Sequence, residues 1–210
     1  MKRNALIYTA LSLLAAFTAW TALVCTIDVQ PIGPDDSSVG LATLNGAVHN
    51  LLGTNMTLYT ITDWLGLVPI FTALGFAIFG LVELIKHKSL LKVERSLLVL
   101  GVFYLIVIFI YLLFEGVAIN YRPVLIEGCL EVSYPSSTTL LVMTVMPAAA
   151  IEIGTRVKKT ATKYIINAVI TVFVAFMVIG RILSGVHWIS DVIGGALFST
   201  GLVLIYDRFK

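Results

Sequence analysis

The chain has 210 residues, 59% hydrophobic and 12% charged, with a net charge of +2 and a mean hydropathy of +0.98. That balance lies outside the range of soluble globular domains, and no basic stripe with interleaved aromatics offers a surface for nucleic acid. What remains is one integral membrane domain over residues 1–210, an all-α bundle of six spans with little chain left for anything else.

A spanning helix needs about 20 apolar residues, because ~30 Å of hydrocarbon is crossed at about 1.5 Å per residue. The first stretch, 4–27, follows Lys2-Arg3. It is longer than the roughly 7–15 residues of a signal-peptide core and lacks an Ala-x-Ala site, so a retained span is expected. Residues 28–56 form an outer loop with Asp28, Pro31, Pro34, Asp35 and Asp36. Leu41, Leu44, Val48 and Leu51 then recur at helical spacing, which predicts a short amphipathic helix on the outer surface with His49 on its polar face. Spans 64–85 and 96–119 follow, joined through Lys86, Lys88, Lys92 and Arg95. The outer loop 119–136 carries Arg122, Glu127 and Glu131. Spans 139–155 and 164–183 are joined through Arg156, Lys158, Lys159 and Lys163. A short outer segment, about 182–190, leads into the last span, 191–206, whose Gly194, Gly195 and Ser199 suit close helix packing. Arg208 and Lys210 close the chain.

The cations therefore fall in alternate loops, which sets both termini in the cytoplasm and the site-bearing loops outside a plasma membrane. Of the fourteen Lys and Arg residues, only Arg122 and Arg181 remain on the outer side. A cation left outside beside an apolar span points to a bound anion. Cys25 and Cys129 also fall outside, where a disulfide and two free thiols are both open.

Three outer segments carry chemistry. Glu115 to Pro123 leaves the third span and contains Arg122. Tyr134-Pro135-Ser136-Ser137-Thr138-Thr139 enters the fourth, with Pro in the first helical turn and Ser and Thr as caps. Backbone N–H groups at such a start can hold an anion. The third segment holds Arg181, His187 and Asp191. His187 and Asp191 are four apart, so on one helix they share a face, and the carboxylate can fix one ring nitrogen while the other serves as nucleophile or base.

This set resembles the type 2 phosphatidic acid phosphatases of the vanadium haloperoxidase superfamily, with motifs Lys, six residues, Arg-Pro; Pro-Ser-Gly-His; and Ser-Arg, five residues, His, three residues, Asp. Arg122-Pro123, Pro135-Ser136 and Arg181…His187…Asp191 match in order, and six outward-facing spans match as well. The resemblance implies a metal-independent membrane lipid phosphatase in which His187 forms a phosphohistidine and Asp191 orients it. Arg122, Arg181, Ser136 and the amide of Ser137 would hold the phosphoryl oxygens. Three positions depart: Glu115 stands for the first Lys, Gly180 for the Ser before Arg181, and Thr138 for the proton-donating His. Thr cannot act as a general acid near neutral pH, whereas a protonated Glu115 could. Without the acid, a lipid diphosphate such as undecaprenyl diphosphate is the expected substrate, because phosphate, with a second pKa of about 6, leaves with little help. The alternatives are a catalytically weak protein that binds or moves phospholipid headgroups, and a lipid phosphotransferase.

Overall fold

The computed structural model describes residues 2–210, with side chains from Asn4 onward. Its helices are α1 (Lys2–Thr26), α2 (Ala42–Leu52), α3 (Met56–Leu65), α4 (Leu67–His87), α5 (Arg95–Gly116), α6 (Ser137–Arg156), α7 (Thr160–Leu183) and α8 (Ile189–Phe209). Six spans are long and apolar enough to cross a membrane, α3 and α4 running together as Met56–His87. Each expected span is present. The second starts at Met56 rather than at 64, because the Asn55 side chain accepts from Leu58 N–H at 2.9 Å and starts the helix there.

The six spans have an inside-out apolar distribution. Trp64, Phe71, Leu105, Phe109 and Val172 are exposed, as a bilayer permits. The interior centres on α6 and α8. Leu100, Phe103 and Val107 of α5 meet Leu140, Val145 and Ala148 of α6 and Leu202, Val203 and Tyr206 of α8. On the other flank, Phe17 and Val24 of α1 pack with Tyr134 and Phe198. Gly194 and Gly195 face Tyr134 and Thr139, so close that an added Cβ would lie 2.7 Å and 3.2 Å from their side chains. Ser199 Oγ donates to Leu140 O at 3.3 Å. These small residues let α8 lie against α6.

The predicted outer helix exists as α2, with its polar side turned into the protein. Leu44 and Leu51 are exposed, while Asn45 is fully buried and His49 lies edge-on to Trp188 at 5.5 Å. Next to lipid, the polar side of a helix is the one that needs protein partners. Cys25 and Cys129 are both free thiols.

At the end of the bundle opposite α2, a buried carboxylate ties three spans together. Glu152 on α6 is fully buried. It accepts from Ser96 Oγ at 2.8 Å, from Tyr206 OH at 3.0 Å and from Arg156. Arg156 also reaches Glu94 at 2.6 Å. Removing one partner of such a set strands the others in an apolar interior. Glu152→Ala is expected to destabilise the folded protein by about 3 kcal/mol. Thermal unfolding in detergent checks this; an unchanged Tm would show that the cluster adds nothing.

Candidate active site

The site forms at the end of the bundle away from the Lys-rich loops. Residues 120–133 fold back on themselves: Arg122 N–H donates to Glu131 O and Ser133 N–H to Asn120 O, each at 2.9 Å. Trp188 Nε1 donates to Tyr121 O at 2.7 Å and anchors this ribbon to the loop before α8. Arg181 stands in the last turn of α7. The turn after it needs Gly185, whose φ is +65° and whose Cβ would come 1.9 Å from Gly53 O. That close passage aims residues 184–188 at the ribbon, with Asn55 N–H donating to Ser184 O at 2.9 Å.

Both arginines are buried. Arg122 Nε lies 2.9 Å from Glu131 Oε2, and Arg181 Nη2 lies 3.2 Å from Asp63 Oδ1. The Tyr59 ring sits beneath both, 5.8 Å from the Arg122 guanidinium carbon and 5.0 Å from that of Arg181. These cation–π contacts offset part of the cost of desolvating two like charges. Arg181 also donates to the Thr138 hydroxyl, which leaves the hydroxyl hydrogen for a further acceptor. A polar cavity of about 540 Å³ is walled by Arg122, Arg181, Ser137, Thr138, Glu115 and Asp63 among others.

His187 lies behind Arg122 rather than on the cavity wall. Arg122 Nη1 is 3.4 Å from His187 Nε2. A guanidinium has no acceptor, so Nε2 carries the lone pair and the ring proton belongs on Nδ1. Nδ1 faces Asp191 Oδ2 at 3.8 Å, which is longer than a hydrogen bond. Burial first, then the charges of Arg122 and Arg181, hold the His187 pKa well below the ordinary value of 6.5. The imidazole is therefore neutral, with a free lone pair on the nitrogen nearest the arginines.

The expected shared helix face is not what joins His187 to Asp191. His187 precedes the α8 N-cap, Trp188, and Asp191 is the third residue of the helix. Asp191 Oδ2 accepts from Trp188 N–H at 3.0 Å, so the carboxylate closes the helix start and turns toward His187 as a consequence. Ser136 also differs from expectation. It is the α6 N-cap, fully buried, with Oγ accepting from Thr139 N–H at 3.4 Å and its own N–H donating to Asp191 O at 3.1 Å. Pro135 lies before the cap, not inside the first turn. Ser137 and Thr138 face the cavity instead.

A family model for the PAP2 superfamily matches residues 67–209. The chain belongs to the PAP2 superfamily. Its fold is similar to the crystal structure of the first transmembrane PAP2-type phosphatidylglycerolphosphate phosphatase, from Bacillus subtilis, at a TM-score of 0.61 and 19% identity, over 95% of this chain and 94% of that one. No curated protein matches the sequence. The family makes this PAP2 protein a multi-pass membrane lipid phosphatase.

Several residues of the PAP2 site carried no sequence signal. Tyr59 and Asp63 come from α3, far in sequence from either arginine, and Asn45 and Asn120 read as ordinary loop polars. The depressed His187 pKa has a direct consequence. Nitrogen-15 histidine NMR of the protein in detergent is expected to show His187 neutral and Nδ1-protonated at pH 6; titration at or above pH 6.5 would contradict the burial argument.

Proposed function

We propose that this PAP2 protein hydrolyses a lipid phosphate or diphosphate at the outer face of the cytoplasmic membrane, through a phosphohistidine on His187. The observation that carries this reading is a neutral imidazole behind two buried guanidiniums, at a cavity that opens onto apolar surface. A groove of about 600 Å³ between α4 and α5, lined by Phe76, Leu97, Gly101 and Leu105 among others, shares Ile70 and Leu141 with the polar cavity. One amphiphile fits both, its headgroup at the arginines and its chain along the lipid-facing helices. The outer location rests on the cation sorting, which puts the arginine end opposite the Lys-rich loops.

In the proposed reaction the substrate's phosphoryl oxygens draw Arg122 off Nε2 and bridge it to Arg181, with the α6 start at Ser137 and the Thr138 hydroxyl as further donors. Nε2 attacks phosphorus and the ester or anhydride oxygen departs with the bonding pair. Nδ1–H closes onto Asp191 as the ring gains positive charge. Water then attacks phosphorus, the N–P bond breaks, and inorganic phosphate leaves with Nε2 restored. Asp191 stays ionised throughout and serves as orienter.

Thr138, held by Arg181, cannot protonate an alkoxide. That favours an anhydride substrate such as a polyprenyl diphosphate, for which the leaving phosphate needs little help. Glu115 is the competing proton donor, since it lines the same cavity. Losing a general acid costs about 10²–10⁴ in rate on a monoester. With purified protein in detergent, kcat/KM is expected to be higher on a lipid diphosphate than on phosphatidic acid, and His187→Ala is expected to abolish both activities. A clear preference for the monoester, lowered by Glu115→Gln, would instead make Glu115 the acid. Headgroup binding with no phosphate release from any substrate would favour the binding or transport reading.

A further inference from the structure

A buried carboxylate is stable as an anion only if donors meet its oxygens; otherwise it takes up a proton and can no longer steer an imidazole N–H. Asp191 is fully buried. Its Oδ2 receives Trp188 N–H and keeps a lone pair toward His187. Its Oδ1 receives two side-chain donors, Asn120 Nδ2 at 3.2 Å and Ser190 Oγ at 3.3 Å. What aims those two donors lies in the N-terminal part of the chain, before the residues matched by the family model.

Ser190 can donate or accept, and Asn45 decides which. Asn45 Oδ1 accepts from Ser190 N–H at 3.1 Å, which fixes the amide so that Nδ2 faces the other way. Nδ2 then spends one hydrogen on Gly40 O at 2.7 Å and the other on Ser190 Oγ at 2.9 Å. An amide NH2 can only donate, so the Ser190 hydroxyl hydrogen is driven toward Asp191 Oδ1. Asn120 is oriented by the same residue: its Oδ1 accepts from Gly40 N–H at 3.2 Å, which leaves Nδ2 to Asp191. Gly40 admits no side chain, because a Cβ would come 1.6 Å from Val24 O. Asn45, Asn120 and Ser190 are all buried.

We propose that Asn45 and Asn120, both oriented by the backbone of Gly40, are positioning residues that hold Asp191 ionised and aimed at His187, so that the loop before α2 and α2 itself belong to the catalytic apparatus. This rests on His187 and Asp191 being the reacting pair. The roles of the two amides are distinct. Asn120 acts on the carboxylate directly, and Asn45 acts through the Ser190 hydroxyl. The same arrangement explains why α2 turns Asn45 and His49 inward and its leucines outward.

The test uses isosteric changes in the full-length protein. Asn120→Asp sets a second carboxylate beside Asp191, and the two would share a proton. It is expected to lower kcat by about 10²-fold, to leave KM within about threefold, and to move the acid limb of the kcat–pH profile upward by about one unit or more. Asn45→Asp reverses the Ser190 hydroxyl and shifts the profile in the same direction by less. Ser190→Ala removes one hydroxyl and no backbone bond, so it keeps the fold, and it is expected to lower kcat roughly tenfold. Asn50→Asp, on the exposed side of α2, is the control that changes nothing. Histidine NMR of the same proteins reads the Nδ1–H tautomer of His187 without turnover, and Asn120→Asp is expected to disturb it. A disturbed tautomer in a protein that hydrolyses no substrate would uphold the positioning role while ending the phosphatase reading. Wild-type kcat, pH profile and tautomer in Ser190→Ala and Asn120→Asp would overturn the proposal. So would a loss of kcat that only tracks a loss of Tm, with the pH profile unmoved.

Discussion

Two guanidinium groups held out of water at one end of an apolar bundle set the terms for everything around them. Arg122 and Arg181 repel each other, and both lie at the end of the bundle away from the Lys-rich loops. Each is met by a carboxylate, Glu131 or Asp63, and both rest on the Tyr59 ring. Those contacts draw in α3, the ribbon 120–133 and the end of α7, three parts of the chain with no reason to meet otherwise. The two charges also act on His187, which their field and its own burial keep neutral.

The departures from the family pattern acquire a physical meaning in this setting. Thr138 is bonded by Arg181, so it extends the anion-binding wall and leaves no acid in its place. Glu115 sits in the last turn of α5, next to Tyr111, where the helix C-terminus disfavours a negative charge. The cavity thus pairs two buried guanidiniums with a hydroxyl where the family pattern has a proton-donating His.

Much of this was legible in the sequence because membranes make charge conspicuous. Six apolar stretches gave the span number, and the isolated Arg122 and Arg181 meet at one cavity, at the end of the bundle away from the Lys-rich loops. His187 and Asp191 stood out by spacing, although a helix cap and not a shared helix face joins them. The misses have a common cause. Tyr59, Asp63, Asn45 and Asn120 act through contacts across 63 or more positions of sequence, between residue types that are ordinary in loops and helix ends. Ser136 shows the limit of a sequence reading: a Ser at a helix start can bind a ligand or cap the helix, and here its Oγ accepts from Thr139 N–H as the cap. The α2 leucines likewise fit an amphipathic helix facing either way, until the polar partners of Asn45 fix its direction.

The most direct measurement of the central claim is capture of the intermediate. The purified protein is mixed with a lipid phosphate substrate, quenched in alkali within the first turnovers, digested and analysed by mass spectrometry. A phosphoryl group on the imidazole of His187, stable to base, lost in acid and absent from an Asp191→Asn protein that still binds substrate, is the predicted result. Steady phosphate release with no phosphorylated His187 at any quench time would contradict the account, because the neutral imidazole behind Arg122 would then have no covalent role.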